Sequence, residues 1–446
     1  MASKKKTSPA KTIIISLLAL IIGVVVGFVG SNIYLSYELE FYLNGDVETN
    51  VALGSTYEEE GAVCIFRGVD YSNELEITCY NDMMQEVNKV DTTSLTKYYV
   101  SYKIDNSKIT STLNRVIVVV EFEDLEINFM MLGNKYAGDC IYIKAGDTDI
   151  LVDAGSRKNS APVIKEYLFD KNSDFHNYVE DSKLEYVIVS HADQDHIAAF
   201  VGSDGIFNDS SIEIETIIEF PKTNKTTALY KEYREAVEKL EANGTKKYTA
   251  LECYNNKNGA SRIIEVAAGI EIEILYNYYY EHETDNENNY SVCFMLRRGA
   301  EQFLFTGDLE NEGKAEEYLV QNNNLGEVYL YKMGHHGSKT SSSAALLSVI
   351  KPEVAVATCV AFTTEYTDNT DNTFPTKAAI DNLVKYNVKH LYVPYMVSDN
   401  KDGFEVANGN ILVYANSSGT GVKCSASNED FYNFEIFKKY RSWNLN

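Results

Sequence analysis

Six consecutive residues, His191-Ala192-Asp193-Gln194-Asp195-His196, put four metal-binding side chains at one strand end. They follow the apolar run Tyr186-Val187-Ile188-Val189 with only Ser190 between, so a buried strand stops where imidazoles and carboxylates begin. A rigid strand end holds ligands of a cation in place. Three more segments have the same form, each a strand giving way to a turn that carries chemistry. One is Ile150-Leu151-Val152 before Asp153. Another is Phe303-Leu304-Phe305 before Thr306-Gly307-Asp308-Leu309-Glu310. The last is Leu330-Tyr331-Lys332-Met333 before Gly334-His335-His336-Gly337-Ser338-Lys339-Thr340. The chain has 7 His, and four of them fall in two of these segments, which a core or surface scatter does not produce. Paired cations suit such a set: two ions ~3.5–4 Å apart hold a hydroxide, lower its pKa and clamp the attacking and leaving oxygens of a displacement.

The order and wording of the four segments resemble the metallo-β-lactamase fold, most nearly the extracellular hydrolase domain attached to ComEC-type DNA-uptake channels. The likeness runs over about residues 128–424. It implies an αββα sandwich with two divalent ions, Mn2+ or Zn2+, at one sheet edge. By the same resemblance His191 and Asp193 serve one ion, Asp195 and His196 the other, Asp308 bridges and His335 completes the second site. His336 is the alternative ligand, or a donor to substrate, and the sequence does not separate the neighbours. The resemblance also makes Asp153 a brace for a ligand through a hydrogen bond. The catalytic group is then Asp195, Asp308, His336 and Lys332, with Lys332 or Lys339 supporting the non-bridging oxygens of a phosphoryl group. Residues 337–341 read as the opening of a helix whose first N–H groups receive phosphate, which makes Ser338, Lys339 and Thr340 substrate-binding residues. Helix capping by Ser338 or Thr340 is the rival explanation.

The departures from the relatives are informative. Asp193 stands where many members carry His, and the added oxygen moves preference toward Mn2+ without excluding Zn2+. Between the first cluster and Asp308 the only His is His282, in a polar loop, and it reads as solvated, so the first site is expected to be the weaker. Ala198 and Ala199 replace glycines, and Phe374-Pro375 replaces His-Pro. His176 and His390 belong to no cluster and read as structural.

Positioning these groups takes more than one domain: 446 residues exceed one ordinary core, with a prior of ~150 residues per domain. With 45% hydrophobic and 24% charged residues the chain is globular rather than disordered. The net charge of −25 repels a polyanion at long range. Screening over ~8 Å at physiological salt still leaves room for a local cationic cleft. The seven cysteines lack Cys-x-x-Cys spacing and read as mostly buried thiols, Cys64 and Cys79 being the one pair that an oxidising compartment could join.

Residues 12–30 are apolar enough, at ~1.5 Å per residue, to cross the ~30 Å of a bilayer core. Lysines precede this run and acids follow it, so a cytosolic tail (1–11), a single-pass anchor (12–34) and an extracytoplasmic remainder are expected. Residues 38–122 alternate in short runs between turns and read as an all-β sandwich, with Val116, Val118, Val120 and Phe122 on the packed face. Stretches 43–62, 90–105 and 114–121 resemble the immunoglobulin-like domains of bacterial surface proteins. In residues 125–424, hairpins (140–153 and 291–305) alternate with helical stretches (226–243, 312–321, 344–350 and 376–385), an α/β pattern, and residues 425–446 read as a terminal extension.

The function expected is a membrane-anchored, extracytoplasmic metal-dependent hydrolase of phosphodiesters, acting on single-stranded DNA or another nucleic acid. The alternatives are the same metals on a cell-wall phosphodiester, thioester or lactam, and a degenerate surface binding protein. One helix cannot translocate DNA, so uptake itself would need another protein.

Overall fold

The computed structural model describes residues 39–54, 56–173, 175–363, 367, 369, 372–398 and 403–441. The expected tail (1–11) and anchor (12–34) lie outside these residues, and among the described ones no helix is long and apolar enough to cross a membrane. The chain divides into two compact units, Met1–Glu121 and Phe122–Asn446.

The described part of the first unit is built of β-strands. One sheet has the order Glu48–Ala52, Thr110–Val120, Lys97–Asp105, Glu76–Asn81, Glu86–Val87; the other joins Leu39–Leu43, Ala62–Phe66 and Val69–Asp70. Alternate residues Tyr98, Val100, Tyr102 and Ile104 of one strand are buried, as a pleated surface with one face on a core requires. The neighbouring strand corrects the sequence reading: Arg115, Ile117 and Val119 are buried, whereas Val116, Val118 and Val120 are only partly so. Five β-branched residues in a row hide the parity of the strand, and the residue that fixes it is a buried arginine. Arg115 donates from Nε to Glu59 Oε1 at 2.8 Å and from Nη1 to the Asp46 carbonyl at 2.5 Å. Arginine is among the residues least expected inside, so sequence pattern points the wrong way here. Phe122 belongs to the second unit.

The second unit holds two large sheets. The first has eight strands in the order Lys246–Thr249, Glu213–Glu219, Lys183–Val189, Thr148–Val152, Ile141–Ala145, Leu125–Phe129, Ile411–Asn416, Gly419–Cys424. The second has seven, in the order Ile263–Ala267, Ile270–Ile274, Phe294–Arg298, Glu301–Phe305, Leu330–Lys332, Val354–Val356, His390–Tyr392. Strands of the second sheet sort their side chains by parity between two cores. Phe294, Leu296, Phe303, Phe305, Val354 and Val356 join the cluster shared with the first sheet, while Met295, Leu304 and Ala355 face a cluster under helices Ala315–Asn322, Ala344–Ile350 and Lys377–Lys385. Helices Ala161–Phe169 and Ala228–Ala242 pack Ile164, Leu168, Tyr233 and Val237 against the first sheet. The result is two sheets face to face with helices outside, the layering that buries both faces of each sheet.

Residues after Cys424, expected as a terminal extension, contribute Phe431, Tyr432, Ile436 and Phe437 to the second cluster. His390 meets Asp430 at 2.9 Å and His176 stacks on Tyr167 at 3.9 Å, structural positions both. All seven cysteines are free thiols, five of them buried.

The helix expected at residues 337–341 begins later. A 3-10 turn spans Gly334–Gly337, and the helix runs over Ala344–Ile350 with Ser343 as its N-cap, accepting from the Leu346 N–H. The N–H groups that precede it serve a buried acid instead: Ser342 and Ser343 each donate to the Glu316 carboxylate at 2.7 Å. Ser338 and Thr340 are not caps but bond each other at 2.8 Å.

Glu316 gives this turn a pH dependence. Burial pushes its carboxyl up to about 7 against the two N–H bonds it accepts. The folded chain therefore keeps a proton that an unfolded glutamate releases near 4.5, and stability from this group is full below that pH and lost as pH rises through about 7. Between those limits the urea midpoint of Glu316→Gln should fall less steeply with pH than that of the wild type; parallel slopes would show that the acid is ionised throughout.

Candidate metal centre

The chemistry-bearing turns lie at the carboxyl ends of parallel strands, where open α/β sheets bind ligands. Asp153 follows Thr148–Val152, His191 follows Lys183–Val189, Asp308 follows Glu301–Phe305, and His336 follows Leu330–Lys332. Asp195 and His196 sit in the single-turn helix Gln194–Ile197. Two glycines make the approach possible. A Cβ on Gly155 would stand 1.6 Å from the Asp195 carbonyl oxygen, and one on Gly337, at φ +87°, 2.7 Å from the Pro375 Cβ.

Four donors converge. One ligand atom from each of Asp195, His196, Asp308 and His336 lies within 4.8 Å of all the others. Asp308 Oδ2 is 3.1 Å from both His196 Nε2 and His336 Nε2, and Asp195 Oδ2 is 3.3 Å from His336 Nε2. Yet both Nε2 atoms are buried without a hydrogen-bond partner. Imidazole nitrogens that face carboxylate oxygens at this range but are not aligned with them share a common point instead, and the set of two imidazoles and two carboxylates suits a divalent cation.

The groups behind the donors fix their orientation. His196 donates from Nδ1 to Asp153 Oδ2 at 2.8 Å, and Asp153 accepts from the Ser190 N–H at 2.7 Å and its hydroxyl at 2.6 Å. His336 Nδ1 lies 3.2 Å from Thr358 Oγ1 and 3.3 Å from Asp139 Oδ1. Lys332 is buried, and its ammonium meets Asp139 Oδ2 at 2.5 Å, the Gly307 carbonyl at 2.8 Å and Asp308 Oδ1 at 3.0 Å. Its three protons are matched by those three oxygens, which turns it inward rather than toward a substrate.

Electrostatics point the same way. Asp139, Asp153 and Asp308 are buried and Asp195 nearly so, four carboxylates against one buried ammonium. Burial alone would raise the Asp308 carboxyl, but His336, Lys332 and His196 hold it well below its ordinary value. Burial likewise opposes charge on His196, and Asp308 and Asp153 raise it well above the ordinary imidazole value. A cation entering here competes with protons, so its affinity rises with pH.

The other sequence-predicted residues lie around this group. His335 is outside it: its Nδ1 donates to Glu310 Oε1 at 2.5 Å, and Thr340 Oγ1 donates to the same oxygen at 2.7 Å. Positive φ values at His335 (+44°), His336 (+54°) and Gly337 (+87°) turn the neighbours in different directions. Lys339 is exposed and donates to Asn372 Oδ1 at 3.2 Å. His191 Nε2 and Asp193 Oδ2 are 3.6 Å apart, and the other Asp193 oxygen is ion-paired with Lys225. His282 is exposed, stacked on Tyr278 at 3.7 Å. Sequence reasoning missed Asp139, Thr358, Glu310 and Lys225. Glu310 stood two residues past Asp308 in a segment already singled out, and Asp139 immediately before a strand; Lys225 carries no local mark at all.

Removing the brace at His196 separates these layers. Asp153→Asn should lower Mn2+ and Zn2+ affinity by about 10–100-fold in calorimetric titration. His336→Ala should abolish tight binding and His335→Ala should leave it within a few-fold. Equal loss in the two histidine variants would contradict the four-donor group.

Residues 133–249 match the Metallo-beta-lactamase superfamily. Recombination protein 2 of Haemophilus influenzae is 38% identical over 73 residues, 16% of this chain and 9% of that protein. ComE operon protein 3 of Bacillus subtilis is 25% identical over 177 residues, 39% of this chain and 20% of that protein. The chain thus spans a fifth or less of the length of these relatives. Among solved structures, the metallo-beta-lactamase fold protein YhfI from Bacillus subtilis is 14% identical with a TM-score of 0.31, covering 61% of this chain and 86% of that one. The family match and the two-sheet architecture together give the second unit a mixed α/β fold of the metallo-β-lactamase kind.

Proposed function

We propose that this chain is a metal-dependent phosphodiesterase, anchored to the membrane through residues 12–34 with its hydrolase unit extracytoplasmic. The observation that carries the reading is the convergence of Asp195, His196, Asp308 and His336, with the Nε2 atoms of both histidines buried and unpartnered. A divalent ion held there, Mn2+ or Zn2+, supplies Lewis acidity toward a phosphoryl oxygen and a water of lowered pKa. The apolar run and its flanking lysines support the anchor. The name of one relative, which speaks of recombination, supports a nucleic acid as substrate, and we take single-stranded DNA as the form cleaved. We read the first unit as immunoglobulin-like, a spacer between membrane and hydrolase; its two sheets and the parallel pairing of Glu48–Ala52 with Thr110–Val120 support this.

The chain's own residues divide the work. Lys332 and Asp139 hold Asp308 and His336 in register, and Asp153 keeps His196 turned so that Nε2 faces inward. His335 is bonded at Nδ1 to Glu310, a pairing that leaves Nε2 as the ring nitrogen which, in the imidazolium form, would give its proton to a departing oxygen. Ser338, Thr340 and Lys339 lie next in the chain, and Lys339 is the exposed cation among them.

Asp308→Asn should cut hydrolysis of bis(p-nitrophenyl) phosphate and of single-stranded oligonucleotides by more than about 100-fold with an unchanged circular dichroism spectrum. His335→Ala should keep the metal and lose about 10²–10⁴-fold in turnover, the range of a general acid. Turnover of nitrocefin without turnover of either phosphodiester would replace this reading with a lactamase.

A further inference from the structure

The geometry points to Lys225 as a built-in cation for the first half of the centre: its ammonium takes the place of a second divalent ion, so that the chain binds one ion tightly and not two. This rests on the four-donor group being the ion site, and extends it to the pair left outside that group.

His191 and Asp193 are the donors left over. His191 is wholly buried and its Nε2 has no hydrogen-bond partner, while Asp193 Oδ2 lies 3.6 Å away. A divalent ion between them would have one imidazole, one carboxylate and at most a bridging oxygen from Asp308. Three protein donors with water can hold such an ion, but only while the Asp193 carboxylate is free to turn to it, and Lys225 already holds that carboxylate. No further imidazole is at hand, because His282 is stacked on Tyr278 and bonded through Nδ1 to the Tyr278 carbonyl at 2.8 Å. An ammonium has less stringent needs: it asks only for acceptors, and Lys225 has one in Asp193 Oδ1.

The position of Lys225 is built rather than incidental. Its loop is clamped to the His191 turn through a single buried acid, Glu287. Glu287 Oε1 accepts from Thr223 Oγ1 at 2.6 Å and from the Ala192 N–H at 3.4 Å, and Oε2 accepts from the Asn224 N–H at 2.6 Å. Two residues after Lys225, Thr227 caps the helix Ala228–Ala242 by accepting from the Tyr230 N–H. One carboxylate and one cap therefore deliver a lysine to Asp193. A fixed positive charge there stabilises an anionic transition state beside the ion as a second cation would.

The test counts tight Mn2+ ions per full-length chain by calorimetry and native mass spectrometry. The wild type and Lys225→Arg should hold one ion. Lys225→Met, which keeps the apolar stem, should hold two, and adding His191→Ala to it should restore one. Asp308→Asn should hold none. Two tight ions in the wild type, or one in Lys225→Met, overturns the role of Lys225 while leaving the four-donor site standing. A wild type that binds none overturns both.

Discussion

The second unit is organised around negative charge placed where water cannot reach it. Asp139 and Asp308 are buried on either side of the Lys332 ammonium, and no carboxylate is kept in such a place without compensation. Stripping one partner from a buried pair costs on the order of 3–5 kcal/mol, so the lysine cannot be an ornament of the site. Its charge nevertheless falls short. Asp153 and Asp195 are still to be balanced, and the imidazoles of His196 and His336 answer them only by holding protons or by turning Nε2 to a cation. The fold has been assembled in a way that makes a positive guest favourable.

That assembly depends on where strands stop. Parallel strands from two sheets end at one edge, and each end turns sharply: Asp153 at φ +56°, Gly307 at +53°, His335 and His336 at +44° and +54°. Left-handed backbone at residues other than glycine costs free energy and persists where the surroundings over-determine it. Here the surroundings are the side chains themselves. Asp153 is held by three donors, and His335 is tied to Glu310, which Thr340, Asn286 and Asn288 also grip. The turns are strained one by one and stable together.

What the sequence displayed and what it hid follow from this. Apolar runs followed by His and Asp were readable, because a buried strand and its terminal turn are contiguous in the chain. The helices Ala344–Ile350 and Lys377–Lys385 were readable from their periodicity, whereas the cap of the first lies at Ser343 and not at the expected Ser338 or Thr340. Asp139, Thr358 and Lys225 were not, since each reaches the centre from a segment whose own pattern is ordinary, and only sheet order brings it near. The choice between His335 and His336 rests on two backbone angles, which no residue type announces. In the first unit Arg115 defeated the pattern outright, because its neutrality is supplied by Glu59 from 56 residues away.

The chain's acidity bears on substrate less than its distribution does. A charge of −25 spread over 446 residues is screened beyond about 8 Å, so an anionic substrate near the centre responds to the charges within that reach. Cations on the neighbouring turns include Lys339, Lys225 at Asp193, and Arg157, whose guanidinium lies 3.9 Å from the centre of the Tyr136 ring and donates to the Ser156 carbonyl at 2.8 Å. Ser156 adjoins Gly155, where a Cβ would stand 1.6 Å from the Asp195 carbonyl oxygen. An arginine over a tyrosine offers a cation beside an aromatic ring, which is what a single-stranded nucleic acid, with its phosphates and unpaired bases, would engage. A lactam or a thioester has no comparable use for both, so these two groups are what the proposed phosphodiester reading, and not its rivals, would draw on.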